Sequence, residues 1–350
     1  MKKVVTIMLT LVLTLSLFAG CASANTDTPA PSSDAAPSSD TSEASENEPE
    51  KNDGDIQFHV GVAQIMEHTS LDQIRESFMA EMEKLGYGPD KVDFEYANAQ
   101  ADQSNLNSIC QKFAGDEKDL IVAIATPTAQ AAAAAAPNIP LVFSAVTDPV
   151  AAKLVASPEQ PEGIITGTSD AIPVDQIFGL MKQLTPDVNT VGFIYNMGET
   201  NSLSVIEDAK EYCDANGIAY TEATVTNVNE VQQAAQSLVG KCEAIFTPID
   251  NTVATAMSVL ADVARQAKLP VYTGADSMVI DGGFATVGID YTVLGQQTAQ
   301  MAVKVLEGTP ISEIPVETLT NFGTVINKTT AEAIGVTLPE DVLSSATIVE

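Results

Sequence analysis

From residue 57 onward the apolar positions switch repeatedly between two periods. "IQFHVGVAQ" (56–64) and "VDFEYANA" (92–99) carry the short or alternating apolar runs of β-strands. Between them, "SLDQIRESFMAEMEKLGY" (70–87) puts Leu71, Ile74, Phe78, Met82 and Leu85 on one helix face, with Gly86 at its C-terminal end. "QSNLNSICQKFAG" (103–115) predicts a second helix. The continuous apolar runs 121–125 and 141–145 predict strands joined by an alanine-rich helix. Continuous apolar strands separated by helices indicate a parallel sheet covered on both faces.

The pattern then starts again. "VGFIYNMGETNSLSVIEDAKEYCDANG" (191–217) repeats strand, polar loop, Ser-Leu, helix and glycine, so that Ser202-Leu203 and Gly217 stand opposite Ser70-Leu71 and Gly86. Thr247-Pro248 stands opposite Thr126-Pro127, and Pro270 opposite Pro140. Three landmarks in the same order imply duplication. The expected fold class is α/β, with two Rossmann-like lobes of parallel sheet joined by a hinge. Lobe one is expected at 57–168 and 288–320, the latter including a helix at 293–307. Lobe two is expected at 169–287 and 321–350, with the stretch from Asn321 crossing the hinge.

The amino-terminal end has a different pattern. Lys2 and Lys3 precede an uncharged run from 4 to 20 that ends in "LFAGC", the arrangement of a signal peptide over 1–21. A retained membrane-spanning helix is the alternative. The Leu-x-Ala-Gly-Cys ending resembles the bacterial lipobox and favours lipidation of Cys21. Residues 22–55 hold nine carboxylates (Asp27, Asp34, Asp40, Glu43, Glu46, Glu48, Glu50, Asp53, Asp55) and one base, Lys51, among Ser, Thr, Pro and Ala. Such a composition buries too little apolar surface to offset chain entropy, so a disordered tether is expected.

Composition narrows the chemistry. The formal net charge of -31, with only 16 Lys and Arg in 350 residues, excludes nucleic acid as partner. The signal peptide and the lack of a basic segment exclude a transcription regulator of similar core fold. Cys110, Cys213 and Cys242 match no metal spacing and read as buried small hydrophobes. With only His59 and His68 in the chain, no metal and no cofactor is expected.

Ligands of open parallel sheets bind beyond the carboxyl ends of the strands. Those ends are polar here. Lobe one offers Gln64, Thr126, Thr128, Thr147 and Asp148; lobe two offers Asn196, Asn201, Asp250, Asn251 and Asp276. Taken singly, helix capping is the simpler role for Thr128, Ser202 and Asn251. Taken together, the loops line a cleft between lobes. Met66, Phe143, Tyr195, Met197 and Tyr291 lie near strand ends as an apolar wall, with core packing as the alternative for each. An enzyme using Asp250 and Asp276 as paired carboxylates is a second reading, without a Gly-x-Ser-x-Gly elbow or metal cluster to support it.

From about Val60 to Leu338 the chain resembles the ABC-importer substrate-binding protein family of the tryptophan and tyrosine type, built on the type I periplasmic-binding fold. "VAQIMEHTSLD", "NAQADQSNLN", "IATPTAQAAA", "AVTDPVAAKLV", "GTSDAIPV", "VTNVNEVQQAAQSL", "PIDNTVATA", "GADSMV" and "VGIDYTVLGQQTAQMAVKVLEG" carry the resemblance in collinear order. It implies an extracytoplasmic monomeric receptor, lipid-anchored to a bacterial membrane. The receptor would capture a free aromatic amino acid (tryptophan, tyrosine or phenylalanine) and deliver it to an ABC permease. Helix-start N–H groups with Thr126 and Thr147 would then cradle the ligand carboxylate. Related branched-chain amino-acid receptors imply Asp276 as partner of the ligand ammonium, with Asp250 second. A receptor for another solute, such as a nucleoside, is the rival; it would favour stacked aromatics over a carboxylate cradle.

Replacing the lipidated thiol should separate anchoring from binding. Cys21→Ser should move the protein from the membrane to the soluble fraction on cell fractionation, with ligand affinity unchanged.

Overall fold

The computed structural model describes residues 56–350; the signal peptide, Cys21 and the acidic tether through Asp55 lie outside the described residues. The chain begins β1 (Phe58–Gln64), α1 (Thr69–Lys84), β2 (Val92–Asn98), α2 (Gln103–Gly115), β3 (Leu120–Ile124), α3 (Thr126–Ala135), β4 (Leu141–Ser144) and β5 (Ile165–Ser169). It continues α4 (Val174–Leu184), β6 (Thr190–Asn196), α5 (Thr200–Asn216), β7 (Ala219–Val225), α6 (Val231–Leu238), β8 (Ala244–Thr247), α7 (Asn251–Thr255) and α8 (Met257–Ala267). Then come β9 (Val271–Thr273), α9 (Asp276–Ile280), β10 (Ala285–Gly288), α10 (Tyr291–Leu306) and β11 (Glu317–Thr318). The chain ends with β12 (Gly323–Asn327), α11 (Lys328–Ile334), α12 (Glu340–Ser345) and β13 (Thr347–Val349).

Two sheets result, with strand orders β2-β1-β3-β4-β5-β11 and β7-β6-β8-β9-β10-β12-β13. The first five strands of each occur in the same order, so the duplication read from the sequence is a duplication of topology. Within those five-strand cores all pairing is parallel. Every residue of β3 (LIVAI) and of β4 (LVFS) is buried, as a strand covered on both faces requires. The segment after Asn321 does more than cross the hinge. Its β12 pairs antiparallel with β10 and widens the second sheet.

The chain passes between the sheets three times: after β5, between β10 and α10, and between β11 and β12. At the second passage α10 returns to the first sheet, starting at Tyr291, two residues ahead of the expected 293. A buried hydroxyl cluster ties it there. Thr298 Oγ1 lies 2.8 Å from Ser144 Oγ on β4 and 2.9 Å from Thr168 Oγ1 on β5.

The same helix lies directly against α1 at Gly295. A Cβ added there would stand 2.5 Å from the Ile74 carbonyl oxygen and closer still to Ser77 Oγ, so no side chain fits without parting the helices. Gly295→Val should therefore destabilise the domain by about 1–3 kcal/mol, the usual effect of overpacking. A lower denaturation midpoint with an unchanged urea m-value would show it.

Candidate functional site

The ends of three consecutive strands carry residues that L-amino acids rarely place in the left-handed region. Gln100 (φ 55°) and Ala101 (φ 61°) follow β2, Ala125 (φ 78°) follows β3, and Ala145 (φ 56°) follows β4. Each such residue costs on the order of 1–3 kcal/mol, and strain of this kind concentrates where backbone must be aimed. Ala125 is the N-cap of α3, which has proline in its first turn. The turn at Ala125 brings Thr126 and the start of α3 to the same wall as Ala145 and Thr147.

That wall belongs to a chamber between the lobes. Lobe one lends it His68, Ser70, Thr126, Thr147, Asp170 and Tyr291; lobe two lends Asn201, Ile249 and Asn251. Its volume is about 10 Å³, roughly the room one water needs. The lobes are held over it by polar contacts from each side. His68 Nε2 lies 3.1 Å from Asn251 Oδ1, Ser204 Oγ donates to Asp148 Oδ2 at 3.0 Å, and Ser70 and Ser277 share a short hydroxyl contact.

Three chamber residues keep a buried polar atom with no hydrogen-bond partner among the described residues: Thr126 Oγ1, Asn201 Oδ1 and His68 Nδ1. Their character follows from what their neighbours already do. Asn201 Nδ2 donates to the Ile249 carbonyl at 2.8 Å, which leaves its Oδ1 as a spare acceptor. Asn251 Nδ2 donates to Glu199 Oε2 at 2.6 Å, so its Oδ1 receives the His68 Nε2–H and Nδ1 carries a lone pair. Burial lowers the His68 pKa, opposed by the bond to Asn251, and favours this neutral form.

Buried carboxylates differ sharply in how well they are satisfied. Glu199 accepts from the Asn251 and Thr252 backbone N–H groups and from the side chains of Asn201, Asn251 and Thr252. Asp250 accepts from Asn196 N, Ser202 Oγ and Val253 N, and is the N-cap of α7. Burial and the nearby Glu199 charge raise its pKa. Asp170 receives one good bond, from Thr147 Oγ1 at 2.9 Å, and a long one from the Tyr291 hydroxyl at 3.5 Å. Burial pushes its carboxyl up to about 6. Asp170, the carboxylate that lines the chamber, is therefore less fully satisfied than Glu199 or Asp250 beside it.

The residues singled out from the sequence separate into groups. Thr126, Thr147, Asn201 and Asn251 meet in the chamber. Gln64 and Thr128 are buried near it, the first bonded to Met66 O and Asp72 Oδ1, the second with an unpartnered hydroxyl. Asp148 caps the turn at Val150 and Ala151 besides holding Ser204. Asn196 bonds Thr252 and the Gly198 N–H in a neighbouring pocket. Asp250 and Asp276 do not line the chamber: the first is consumed as a cap, and the second accepts from the Ser277 N–H in the first turn of α9. The carboxylate pair considered for acid–base chemistry is thus not assembled there. The caps expected at Thr128, Ser202 and Asn251 fall at Ala125, Glu199 and Asp250 instead. In the expected apolar wall, Phe143 and Tyr195 are core residues and Tyr291 presents its hydroxyl to Asp170, while Met66 and Met197 line the neighbouring pocket.

The geometry can be set beside known proteins. A family model described as ABC transporter substrate binding protein matches residues 59–350. The Tyrosine-binding protein of Clostridioides difficile (strain R20291) is 37% identical over 334 residues, covering 95% of this chain and 92% of that protein. A Streptococcus pneumonia ABC domain crystallised with L-Trp superposes with a TM-score of 0.81 at 36% identity, over 84% of this chain and 99% of that one. The ligand-free, open structure of a substrate-binding protein with adhesive properties from Clostridium difficile superposes with a TM-score of only 0.65, at 39% identity and the same coverage of 84% and 99%. In this chain the His68–Asn251 and Asp148–Ser204 hydrogen bonds hold the lobes closed on each other. Duplicated lobes of the type I periplasmic-binding fold, closed on each other and matched from residue 59 to the last, make this chain a member of the ABC transporter substrate-binding protein family.

Proposed function

We propose that this protein is an extracytoplasmic, lipid-anchored monomeric receptor that captures a free aromatic amino acid between its lobes and delivers it to an ABC permease. The observation that carries the reading is the chamber's division into donors and acceptors. Thr126 and the first turn of α3 supply a hydroxyl and a helix N-terminus, which suit a carboxylate. Asp170, Asn201 Oδ1 and His68 Nδ1 supply acceptors, which suit an ammonium. An α-amino acid brings both groups on one carbon. The L-Trp complex and the tyrosine-binding relative support the amino-acid class and its aromatic side chain.

The ammonium role moves from Asp276 to Asp170 in this reading, because Asp276 does not line the chamber and its carboxylate accepts from the Ser277 N–H. The chamber's room for about one water is less than a zwitterion occupies, so the lobes stand closer here than they do around a bound ligand and must part to admit one. Binding is therefore capture by closure, with contacts to both lobes favouring the closed state. No proton needs moving and no bond needs breaking, so the role is that of a receptor.

Asp170→Ala should weaken binding by about 2–5 kcal/mol, since it leaves a buried ammonium unpaired. Thr126→Val should cost less, about 1–3 kcal/mol, and Asp276→Ala should change affinity little. Calorimetric titration with L-tryptophan, L-tyrosine and L-phenylalanine checks all three; equal affinity in Asp170→Ala and the parent would refute the assignment.

The acid limb of binding gives a separate check. Asp170 must be ionised to hold an ammonium, and burial in the closed chamber pushes its carboxyl up to about 6. Affinity should hold above that pH until the ligand amine deprotonates, and fall below it toward about tenfold per pH unit. Asp170→Asn should bind weakly and lose this acid limb. A limb that persists in the variant would assign it to another group, such as His68.

A further inference from the structure

The lobes meet along two seams, one on each side of the chamber, and the duplicated fold builds both in the same way. The start of α1 in lobe one corresponds to the start of α5 in lobe two, and the segment after β4 to the segment after β9. On one side Thr69 Oγ1, in the first turn of α1, donates to Asp281 Oδ2 at 3.3 Å, and Ser70 and Ser277 share a hydroxyl contact. On the other side Ser204 Oγ, near the start of α5, donates to Asp148 Oδ2 at 3.0 Å, and Gln130 Nε2 donates to Thr200 Oγ1 at 3.4 Å. Each lobe thus extends hydroxyls from one helix start to a carboxylate on the other. Of these seam residues only Ser70 lines the chamber.

Both seams are made while the chamber between them has room for about one water. Hydrogen bonds of 3.0 and 3.3 Å have little slack, and about one ångström of further separation removes them. Parting the lobes enough to seat a molecule of several heavy atoms therefore breaks contacts on both sides. Within the chamber the same form spends polar groups on each other, since His68 and Asn251 are bonded across it. The seams are also held lightly. Asp208 stands one turn beyond Ser204 on α5, and burial together with the charges of Glu211, Asp148 and Glu207 raises its pKa, so like charge works against the contact at Asp148.

We propose that the two seams are an autoinhibitory seal: they stabilise a form closed more tightly than the ligand-bound one, and ligand binds only in competition with it. The proposal takes its probe from the amino-acid reading above, but the seal itself is a property of the lobes. Seam residues outside the chamber set how much of the protein is open to ligand without setting which ligand is held. Apparent affinity is the intrinsic affinity scaled down by the fraction of molecules outside the sealed form. Removing a seam contact therefore tightens binding, the reverse of removing a contact that belongs to the ligand-bound form.

The test compares the parent with Ser204→Ala and Thr69→Val, whose side chains lie outside the hydrophobic core and the chamber. The chain has no tryptophan, so stopped-flow fluorescence of added L-tryptophan reads association and dissociation directly. Each variant should associate roughly two- to tenfold faster than the parent and bind that much more tightly, the effect of one hydrogen bond, with dissociation unchanged. A second measurement leaves the seams intact. The start of α2 and the turn after β7 face each other across a pocket between the lobes, and Asn107 and Asn229 are exposed there. Spin labels on Asn107→Cys and Asn229→Cys, in the Cys21→Ser protein whose other native thiols are buried, report lobe separation. Electron–electron distance measurement should give one short, narrow distance for the protein alone and a longer one once L-tryptophan is added. Variants that bind more weakly through faster dissociation would assign the seams to the ligand-bound form and overturn the seal. Unchanged kinetics, or a label distance that shortens with L-tryptophan, would overturn it equally. If no amino acid binds, the receptor reading fails, and the label distance of the protein alone still decides the seal: a broad, long distribution refutes it.

Discussion

A parallel sheet delivers the carboxyl ends of all its strands to one edge, and the helices that follow begin there. Buried strands leave this edge as the one place where polar groups can gather without disturbing the core. Duplicating such a sheet and joining the copies by three passages sets two polar edges against each other. The positive φ values at Ala101 and Ala125 follow from the same constraint, since the chain must turn sharply off a strand into a helix, and Ala145 turns it off β4 into the loop before β5. The cleft and its donors are consequences of that arrangement.

The distribution of negative charge follows from it too. Among the described residues no lysine or arginine pairs with the buried Glu199, Asp250 and Asp170, in a chain that carries an excess of acids. Desolvating a carboxylate is costly unless hydrogen bonds replace the lost water. In lobe two the starts of α5 and α7 supply those bonds, so Glu199 and Asp250 become part of the framework that orients Asn201 and Asn251. In lobe one no helix starts directly beneath Asp170, and Thr147 and Tyr291 satisfy it only in part. In the proposed reading a cationic ligand group completes what the fold leaves undone, which suits one of three similar acids to recognition.

Much of this was legible in the chain. Strand and helix periods gave the order of elements, and the repeated Thr-Pro corners gave the duplication. The rule that ligands sit past strand ends brought out Thr126, Thr147, Asn201 and Asn251. The same rule applied to "ITGTSDA" points to Asp170. That strand carries Gly167 and three hydroxyl residues in place of an apolar run, so its pattern does not mark it as a buried strand. Asp250 and Asp276 stood out because acids at helix starts are conspicuous, yet that position is what commits them to backbone N–H groups. The ring of Tyr291 suggests an apolar role; only the fold brings its hydroxyl to a carboxylate 121 positions away in the chain.

The location of Asp170 and Tyr291 also bears on how closure works. Asp170 directly follows β5 and Tyr291 opens α10, so the two stand at separate passages of the chain between the sheets. Points at a hinge move least when domains rotate about it. The Asp170–Tyr291–Thr147 contacts can therefore persist while the lobes part, whereas His68–Asn251, Asp148–Ser204 and Ser70–Ser277 join residues of opposite lobes and must break. In the proposed reading an incoming amino acid meets a lobe-one site whose anion and donors are already in place, and Asn201 and Asn251 reach it only on closure. Preformed contacts on the pivot side and late contacts from the far lobe divide recognition from commitment. That division follows from where the chain crosses, before any choice of side chain is made.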